Sequence, residues 1–462
     1  MLTVLNKYYP IRKLIYYILE GCVILICLFA VHHLFEFFLG AEQGYKYNIW
    51  IRAILITFVV QISLNYNQLY EFKNIYTLRE IFFKIVHALS ISCIIIGTLY
   101  FLLPGLAIRS GIFFLLLFFL LFLFISWRLI YQYLCKKDYF KEKIFLIGSG
   151  ELSSSILDLI YEDLDSGLTV SAICNPHSSN LGSEYGIEEI HDYNVMCKMI
   201  LNQKIKKIVV ALKEKRGNFP LQELLECRMQ GVKILDGINL FETLSGKIVA
   251  SQTPPSWIIF SEGFNRHKIT VILKRIIDVL LSLIGIIIFS PLIIIISIAI
   301  KADSKGPVFF KQCRVGYMGK NFELVKFRTM VDKAEEGTGA VWAQSNDERI
   351  TRVGRVLRKI RFDEIPQFLN ILKGQMSFIG PRPERPEFVE QLQNRLPYYK
   401  ERHFVKPGLS GWAQINYGYG ASEDDALRKL EYDLFYIKHL SILLDLYIIA
   451  KTAKTVIVGT GR

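Results

Sequence analysis

Four long apolar runs dominate the first third of the chain, at residues 14–31, 49–64, 81–103 and 112–130. Each is close to the ~20 residues that a helix needs to cross a bilayer, although the second is the least clean. No small-residue cleavage site follows the first run, so it does not resemble a signal peptide. The pattern predicts a membrane α-helical bundle of four spans over residues 1–140.

Basic residues predict the orientation of this bundle. They precede the first run, separate the second from the third and follow the fourth: Lys7, Arg12, Lys13, Lys73, Arg79, Arg128, Lys136, Lys137, Lys141 and Lys143. The other two loops carry few cations. Because cytoplasmic loops are enriched in Lys and Arg, we expect both ends of the bundle to be cytoplasmic.

Residues 141–240 change to short β-branched runs separated by helical patterns. Strands are predicted at residues 143–147, 169–174, 207–212 and 232–235. Strands that alternate with helices are typical of a parallel sheet, here an α/β domain of Rossmann type.

The turn Gly148-Ser149-Gly150 after the first strand could present backbone N–H groups to a phosphate. The third position of the nucleotide fingerprint is Ser153, however, and the second strand ends at Asn175 without an acidic residue for a ribose. A plain strand–helix turn is favoured at roughly two to one over a nucleotide site.

An aromatic-rich segment, residues 241–267, is predicted to be a linker that contains Pro254-Pro255-Ser256-Trp257. Tyr and Trp favour the membrane interface, so we expect this linker to pack on the membrane-proximal surface.

The fifth apolar stretch is long enough to span a bilayer, yet we predict a re-entrant helix over residues 269–301. Ser290-Pro291 lies in its middle, where proline removes a helix hydrogen bond and bends the axis. Basic residues flank both ends, whereas a spanning helix should show asymmetry. The alternative is a kinked spanning helix, which would place everything after it outside.

Charged residues stand at the entry to this stretch, namely Lys274, Arg275 and Asp278. Arg275 could pair with Asp278 or with a lipid phosphate.

Composition agrees with a membrane protein that carries soluble domains. Hydrophobic residues make up 52% and charged residues 21% of the 462 residues, and the mean hydropathy is +0.31. These values exclude a disordered chain and argue against a purely soluble enzyme. The length suggests roughly three domains. The net charge of +13 favours anionic lipid headgroups or phosphate-bearing substrates as partners. No zinc-ligand spacing or basic-region pattern indicates nucleic acid.

The eight cysteines include no Cys-x-x-Cys pair, which leaves no zinc or redox signature. The soluble parts are expected in a reducing cytoplasm.

The last third is dense in polar motifs. Residues 306–312 and 322–330 predict two strands joined by a turn at 316–321. Arg352, Arg355 and Arg358 recur every three residues and would line one helix face, which is usually solvated.

The adjacent carboxylates Asp363 and Glu364 are the candidate chemistry. By itself, Asp363 would be interpreted as a helix N-cap with Pro366 in the first turn. Here the dyad is surrounded in sequence by arginines and by the rigid loop Gly380-Pro381-Arg382-Pro383. Adjacent carboxylates repel one another unless a cation lies beside them. A divalent metal and arginines would supply that cation, and phosphoryl transfer needs the same set.

Residues 268–462 resemble the bacterial sugar transferase family, the polyprenyl-phosphate hexose-1-phosphate transferases or monotopic phosphoglycosyl transferases. The matching motifs are Lys274-Arg275-x-x-Asp278, Ser290-Pro291, Gly306-Pro307, Lys326-Phe327-Arg328-Thr329-Met330, Asp363-Glu364-x-Pro366-Gln367, Gly380-Pro381-Arg382-Pro383 and Pro407-Gly408-x-x-Gly411. The front region resembles the large members, which initiate exopolysaccharide, capsule or O-antigen synthesis. Residues 255–257 and 261–264 are similar to the exosortase-associated branch. Arg361-Phe362 departs from the small polar residue and Leu of many members.

The resemblance implies transfer of a sugar-1-phosphate from a UDP-sugar to undecaprenyl phosphate, with release of UMP. Asp363 would be the nucleophile, and Glu364 with Asp363 would hold Mg²⁺ or Mn²⁺. The substrate phosphates would be bound by Arg382, Arg358, Arg328 and Lys326. The re-entrant helix would bring an α+β catalytic domain to the depth of the lipid phosphate, through Lys274, Arg275, Asp278, Ser290 and Pro291. The protein would reside in the bacterial inner membrane, with this domain on the cytoplasmic face.

Two alternatives remain open: a membrane nucleotide-sugar dehydratase, which needs an intact NAD fingerprint, and a non-catalytic scaffold for polysaccharide assembly. The transferred sugar stays undetermined. The Rossmann-like domain could bind a regulator, support a homodimer or do neither.

Overall fold

The computed structural model describes residues 2–4, 7–9, 11–39, 49–70, 77–107, 110–136, 141–162, 166–175, 181–212, 219–264, 267–332, 334, 347, 349–418, 420 and 422–458. Their contacts divide the chain into two compact units, Met1–Leu240 and Phe241–Arg462.

The first unit begins with a short antiparallel pair and four long helices. These elements are β1 (Leu2–Val4), β2 (Lys7–Tyr9), α1 (Ile11–Leu39), α2 (Ile49–Tyr66), α3 (Leu78–Leu102) and α4 (Ser110–Lys136). Apolar side chains of all four helices fill a common core, yet many outward residues such as Ile94 and Phe114 are also apolar and exposed. A helix that is apolar on all sides suits a membrane. The four predicted helices are confirmed, and each is long and apolar enough to span a bilayer.

One buried polar cluster joins three parts of this bundle. Glu20 of α1 forms an ion pair with Arg128 of α4 at 3.1 Å, and neither side chain is more than 3% exposed. Tyr70, just after α2, donates to the other Glu20 oxygen, and Arg128 also donates to the Leu69 carbonyl. The two buried charges are thus paired with each other.

The rest of this unit is an α/β domain. Its elements are β3 (Glu142–Ile147), α5 (Glu151–Glu162), β4 (Leu168–Cys174), α6 (Leu181–Tyr185), β5 (Glu188–Ile190), α7 (Tyr193–Asn202), β6 (Lys207–Val210), α8 (Leu221–Met229), β7 (Lys233–Asp236) and α9 (Gly237–Ser245), the last of which runs into the second unit. The strands form a parallel sheet in the order β5-β4-β3-β6-β7. Numbered within the domain, this is the order 3-2-1-4-5, which matches five of the six strands of a doubly wound sheet.

The turn after β3 needs glycine. Gly148 has φ +112°, and a Cβ there would lie 2.7 Å from the Ala211 carbonyl oxygen. Ser153 in the first turn of α5 is fully buried, as the small residue at this position should be for close packing of helix on sheet.

The second unit runs from Phe241 to Arg462. Its helices are α10 (Pro255–Phe260), α11 (Lys268–Asp303), α12 (Arg352–Lys359), α13 (Gln367–Leu372), α14 (Pro386–Arg395), α15 (Trp412–Asn416), α16 (Glu423–Lys438) and α17 (Ile442–Val458). The strands β8 (Phe309–Val315) and β9 (Asn321–Phe327) form an antiparallel hairpin, and β10 (Ser377–Ile379) pairs in parallel with β11 (Gly408–Ser410). The hairpin confirms the predicted strand–turn–strand pattern.

The segment predicted to be a linker packs within this unit. The indole of Trp412 donates to the Gly246 carbonyl at 2.7 Å, and the ammonium of Lys438 lies 4.0 Å from the ring centroid of Trp257. Lys438 also pairs with Glu242 at 2.7 Å.

Helix α11 confirms the predicted helix over residues 269–301 and continues through Pro291. Its 36 residues correspond to about 54 Å if the helix is straight. Ile296 and Ile300 pack into the core with β9, α12 and α13, whereas most of its other apolar side chains are exposed.

Candidate active site

The two carboxylates lie in a buried 3₁₀ turn, Phe362–Glu364, between α12 and α13. Asp363 and Glu364 are each 8% exposed. Arg361 ends α12 in the left-handed conformation, with φ +60°, which turns the chain sharply after the helix. The residue that precedes α13 is Pro366, so Asp363 is not the N-cap of that helix.

Three cations converge on Glu364. Lys326 of β9 and Arg382 of the Gly380–Pro383 loop both donate to its Oε1, at 3.0 and 2.9 Å. The Arg361 guanidinium is 3.9 Å from the same oxygen. Lys326 is also 3.9 Å from Asp363 Oδ2. A strand, a turn and a loop that are distant in sequence therefore meet at the dyad.

The surroundings separate the two carboxyl groups electrostatically. Burial raises the pKa of Asp363, and its neighbour Glu364 acts in the same direction against Lys326, Arg382 and Arg358. Burial also acts to raise the pKa of Glu364, but Lys326, Arg382 and Arg361 outweigh it and lower this pKa well below its ordinary value. Glu364 is therefore held as a carboxylate among fixed cations.

The lysine at the centre is perturbed as well. Burial lowers the pKa of Lys326 despite the opposing effect of Glu364. The site contains two acidic side chains and four basic ones, Lys326, Arg358, Arg361 and Arg382. Its net charge is therefore positive, which suits an anionic diphosphate.

The donor set fits a magnesium ion. Both short ion pairs of Glu364 use Oε1, so within the described residues its Oε2 makes no hydrogen bond, and Asp363 makes only the long contact to Lys326. Mg²⁺ usually takes one or two carboxylates and completes its shell with substrate phosphates and water. Among the described residues no group of three His, Cys, Asp or Glu side chains could hold a metal ion, so substrate or water would have to complete the shell.

The other two predicted phosphate-binding arginines have different positions. Arg358 donates from Nε to Thr329 Oγ1 at 2.9 Å and is close enough to lower the pKa of Asp363. Arg328 is buried, and its Nη2 donates to the carbonyl and hydroxyl oxygens of Ser304 at 2.8 and 2.9 Å. In the described part of the chain Arg328 contacts the end of α11, not the dyad.

The charged residues at the start of α11 contact other elements of the same unit. Lys274 contacts Asp445 Oδ2 at 2.6 Å and the Ile379 carbonyl at 2.9 Å. Arg275 donates to the carbonyls of Ile371 and Leu372 at 2.6 and 2.7 Å, at the end of α13.

Asp278 accepts hydrogen bonds from the Ser377 hydroxyl at 3.0 Å and the Phe378 amide at 2.9 Å. Of the two partners considered for Arg275, Asp278 is therefore not the one that the described residues show, because Arg275 and Asp278 each contact groups of neighbouring elements instead. This motif fixes α11 to α13, β10 and α17.

The Ser290-Pro291 pair lies on the exposed side of α11. Ser290 donates to the Ile287 carbonyl at 2.8 Å. The pair is distant in sequence from the anchored start of the helix, and neither residue has a described contact with the dyad.

Sequence reasoning missed Asn370, which holds the strand that carries Lys326. Its amide donates to the Glu323 carbonyl at 2.6 Å and accepts from the Val325 amide at 3.0 Å. A single buried amide within the apolar sequence Phe368–Leu372 was the available signal, since buried polar groups need partners.

Comparison with known proteins identifies relatives of the part of the chain that carries this site. A family model described as bacterial sugar transferase matches residues 269–459. A UDP-N-acetylgalactosamine-undecaprenyl-phosphate N-acetylgalactosaminephosphotransferase of Aeromonas hydrophila is 42% identical over 238 residues, which are 52% of this chain and 55% of that protein.

Two further relatives differ in the share of their own length that this chain matches. A UDP-glucose:undecaprenyl-phosphate glucose-1-phosphate transferase of Escherichia coli (strain K12) is 34% identical over 272 residues, 57% of this chain and 54% of that protein. An uncharacterized sugar transferase of Bacillus subtilis (strain 168) is 41% identical over 196 residues, 41% of this chain and 90% of that protein. The chain thus spans about half the length of the Aeromonas and Escherichia proteins.

Proposed function

The chain belongs to the bacterial sugar transferase family, and we propose that it transfers a sugar-1-phosphate from a UDP-sugar to undecaprenyl phosphate and releases UMP. This would be the initiating step of exopolysaccharide, capsule or O-antigen synthesis. The names of the Aeromonas and Escherichia relatives, which specify this donor and acceptor, support the proposal.

The observation that carries the proposal is the buried dyad between Lys326, Arg361 and Arg382. A sugar nucleotide brings two phosphates, and the site offers more positive than negative charge. The guanidinium of Arg382 can hold phosphate oxygens in a bidentate manner. A scaffold would have no use for a desolvated carboxylate pair with this charge balance.

The reaction is proposed to take two steps. A carboxylate oxygen of Asp363 attacks the β-phosphorus, the bond from that phosphorus to the bridging oxygen breaks, and UMP leaves with the oxygen and its electron pair. A phosphate oxygen of undecaprenyl phosphate then attacks the same phosphorus and displaces the Asp363 carboxylate. Lys326, Arg358 and Arg382 stabilise the charge on the transferred group throughout, from positions fixed before the substrate arrives.

Asp363 and Glu364 would hold Mg²⁺ or Mn²⁺, which neutralises the diphosphate. We expect chelation with EDTA to abolish UMP release and either ion to restore it. Full activity in excess chelator would contradict a metal requirement.

Helix α11 is proposed to be re-entrant, with both its ends on the cytoplasmic face of the bacterial inner membrane. Contacts at both ends support this: Lys274 binds Asp445, and Asp303 accepts from the Val353 amide at 2.9 Å, all within one compact unit. A helix anchored to one soluble domain at both ends cannot leave that domain on two sides of a bilayer.

The decisive experiment is a donor screen with purified full-length protein. UMP release and radiolabel transfer to undecaprenyl phosphate are measured for UDP-glucose, UDP-galactose and the UDP-N-acetylhexosamines. We expect transfer from at least one donor. Absence of UMP release with every donor, in lipid and metal excess, would overturn the proposed function.

A further inference from the structure

The backbone of the Gly380–Pro383 loop must be held still if Arg382 is to act on phosphate. The Arg382 side chain is 39% exposed, and its described hydrogen bond goes to Glu364. Packing of the side chain alone therefore gives limited restraint. A misplacement of about 1 Å can cost a reaction about 10²-fold.

The first half of this loop is fixed by the neighbouring strand β11. The Gly380 amide donates to the Ser410 carbonyl and the Gly408 amide donates to the Pro381 carbonyl, both at 2.9 Å. The two backbones approach so closely that a Cβ on Gly408 would lie 2.1 Å from the Gly380 nitrogen.

The second half is held by two arginines from elsewhere in the unit. Arg402 Nη2 donates to the carbonyl of Arg382 itself, at 3.0 Å. Arg314 Nη1 donates to the next carbonyl, that of Pro383, also at 3.0 Å. The Val315 amide completes this side by donating to the Glu384 carbonyl at 2.9 Å.

Arg402 is itself rigidly placed. It is 7% exposed, its Nη2 also donates to Asp433 Oδ2 at 2.9 Å, and its Nη1 contacts the Tyr399 hydroxyl at 2.6 Å. Asp433 belongs to α16 and is 2% exposed. A buried ion pair often stabilises a protein no more than apolar residues of the same volume would. A contribution to stability therefore does not explain why Arg402 and Asp433 form one here.

We infer that Arg402 and Asp433 are positioning residues that fix the main chain of Arg382 for phosphate binding. This role rests on the proposed function. Neither side chain has a described contact with the dyad. Asp433 orients the guanidinium of Arg402, and Arg402 determines where the backbone of Arg382 lies.

The test is a double-mutant cycle on UMP release. Arg402→Lys keeps the charge but cannot reach both Asp433 and the Arg382 carbonyl with one planar group, and Asp433→Asn keeps the shape. We expect either substitution to lower kcat by about 10- to 10²-fold, with KM for the UDP-sugar changed much less. In an Arg382→Lys background the further loss should nearly disappear, because the group being positioned is gone.

A matched control exists on the same helix. Lys438 of α16 pairs with Glu242, and both side chains are about as buried as those of Arg402 and Asp433. Glu242→Gln should leave kcat within about twofold, because this pair joins α16 to α9 and not to the loop. Thermal unfolding of each variant in detergent reports folding separately.

The outcomes are distinct. If the loss of kcat from Arg402→Lys or Asp433→Asn multiplies with that from Arg382→Lys in the double variant, the substitution damages the enzyme generally and the positioning role is overturned. An unchanged kcat in both Arg402→Lys and Asp433→Asn would do the same. If wild-type protein releases no UMP from any donor, the proposed function fails first and this role with it. Should Asp433→Asn fail to fold, Arg402→Lys carries the cycle alone.

Discussion

At the scale of single residues, Asp363 and Glu364 have the same chemistry but different environments. The short ion pairs belong to Glu364, whereas Asp363 is buried with only a 3.9 Å contact to Lys326. Neither oxygen of Asp363 is held by a short ion pair, so this side chain can turn toward a phosphorus atom, whereas Glu364 is fixed in place through its Oε1 by Lys326 and Arg382. This asymmetry favours Asp363 as the nucleophile and Glu364 as the fixed partner.

Asp363→Asn tests this assignment. The amide keeps the shape but is a poor nucleophile, so loss of a covalent step should leave essentially no turnover. Arg382→Lys removes one electrostatic contact and should cost roughly 10²–10³-fold, leaving measurable activity. Both variants are compared by UMP release under saturating substrates.

The lipid-free reaction provides the second measurement. Wild-type protein with UDP-sugar and Mg²⁺ should release up to one UMP per site and gain the mass of a hexose phosphate. Substantial turnover by Asp363→Asn, or no adduct under any quench, would instead favour direct attack by the lipid phosphate.

A second residue-scale prediction concerns pH. Burial raises the pKa of Asp433 to about 6; Glu384 acts in the same direction, while Arg402 and Lys429 oppose both. As pH falls from 7 to 5 Asp433 gains a proton, Arg402 loses its charged partner and kcat should fall. This step in the pH–kcat profile should be absent from Asp433→Asn.

The effect on stability has the opposite sign. The folded-state pKa of Asp433 lies above its ordinary value of 3.8, so the folded protein binds this proton more tightly than the unfolded chain. The contribution of this group to stability therefore rises as pH falls through 6 toward 3.8. The Tm of wild type relative to Asp433→Asn should increase over pH 7 to 5 while activity decreases. A parallel loss of both would indicate acid unfolding instead.

The role of a residue could be predicted from the sequence only where its partners are close to it in the sequence or are of an unusual residue type. The pair Asp363-Glu364 and the Arg382 loop could be recognised by composition. The partnership of Arg402 with Asp433 could not, because β11, α15 and most of α16 separate the two residues, which meet only after folding. Arg275 and Asp278 show the converse: their spacing permits an ion pair, but nearby backbone groups take both side chains.

At the scale of elements, apolar length was the reliable signal. The predicted runs fall within or close to α1 to α4. Short β-branched runs predicted β3, β4, β6 and β7, and the segments 306–312 and 322–330 predicted the β8–β9 hairpin. The strand β5 was missed because Glu188-Glu189-Ile190 offers one apolar residue and no alternation. The pairing of β10 with β11 was also missed, because three-residue strands leave no periodicity to read.

The buried pair Glu20–Arg128 gives an element-scale prediction. Glu20→Ala leaves the Arg128 guanidinium in the core without its counter-charge, which should cost about 3–5 kcal/mol of stability. Thermal unfolding in detergent should show a clearly lower Tm.

Two control variants show whether the loss of stability in Glu20→Ala comes from the unpaired buried charge. Lys311→Ala removes an exposed ion pair with Glu323 and should change stability by less than about 1 kcal/mol. Replacing Glu20 and Arg128 together by leucine should cost less than Glu20→Ala alone, since no charge is left buried. An unchanged Tm in Glu20→Ala would show that this pair does not stabilise the bundle.

At the scale of the whole molecule, five helices among the described residues are long and apolar enough to span a bilayer. Five true spans would put the dyad on the opposite side of the membrane from the chain's N-terminus. If the proposed UDP-sugar donor is cytoplasmic, a catalytic unit outside the membrane would lack it. Hydropathy alone cannot decide this, because α11 is also the most apolar of the five. The contacts at both ends of α11 provide the independent argument.

Cysteine labelling distinguishes the two topologies. In a variant without native cysteines, single cysteines at Lys305 and Lys141 should be labelled by an impermeant reagent only after the cells are permeabilised. A cysteine at Leu103, in the predicted outer connection between α3 and α4, should be labelled in intact cells and serves as the control. Access from outside at position 305 would refute the re-entrant arrangement.

Pro291→Ala restores a helix hydrogen bond and favours a straight axis, so it should shift some molecules toward outside labelling at position 305 and lower activity in proportion. Unchanged labelling in that variant would mean that the anchors at Lys274, Arg275 and Asp278 determine the topology without help from the proline.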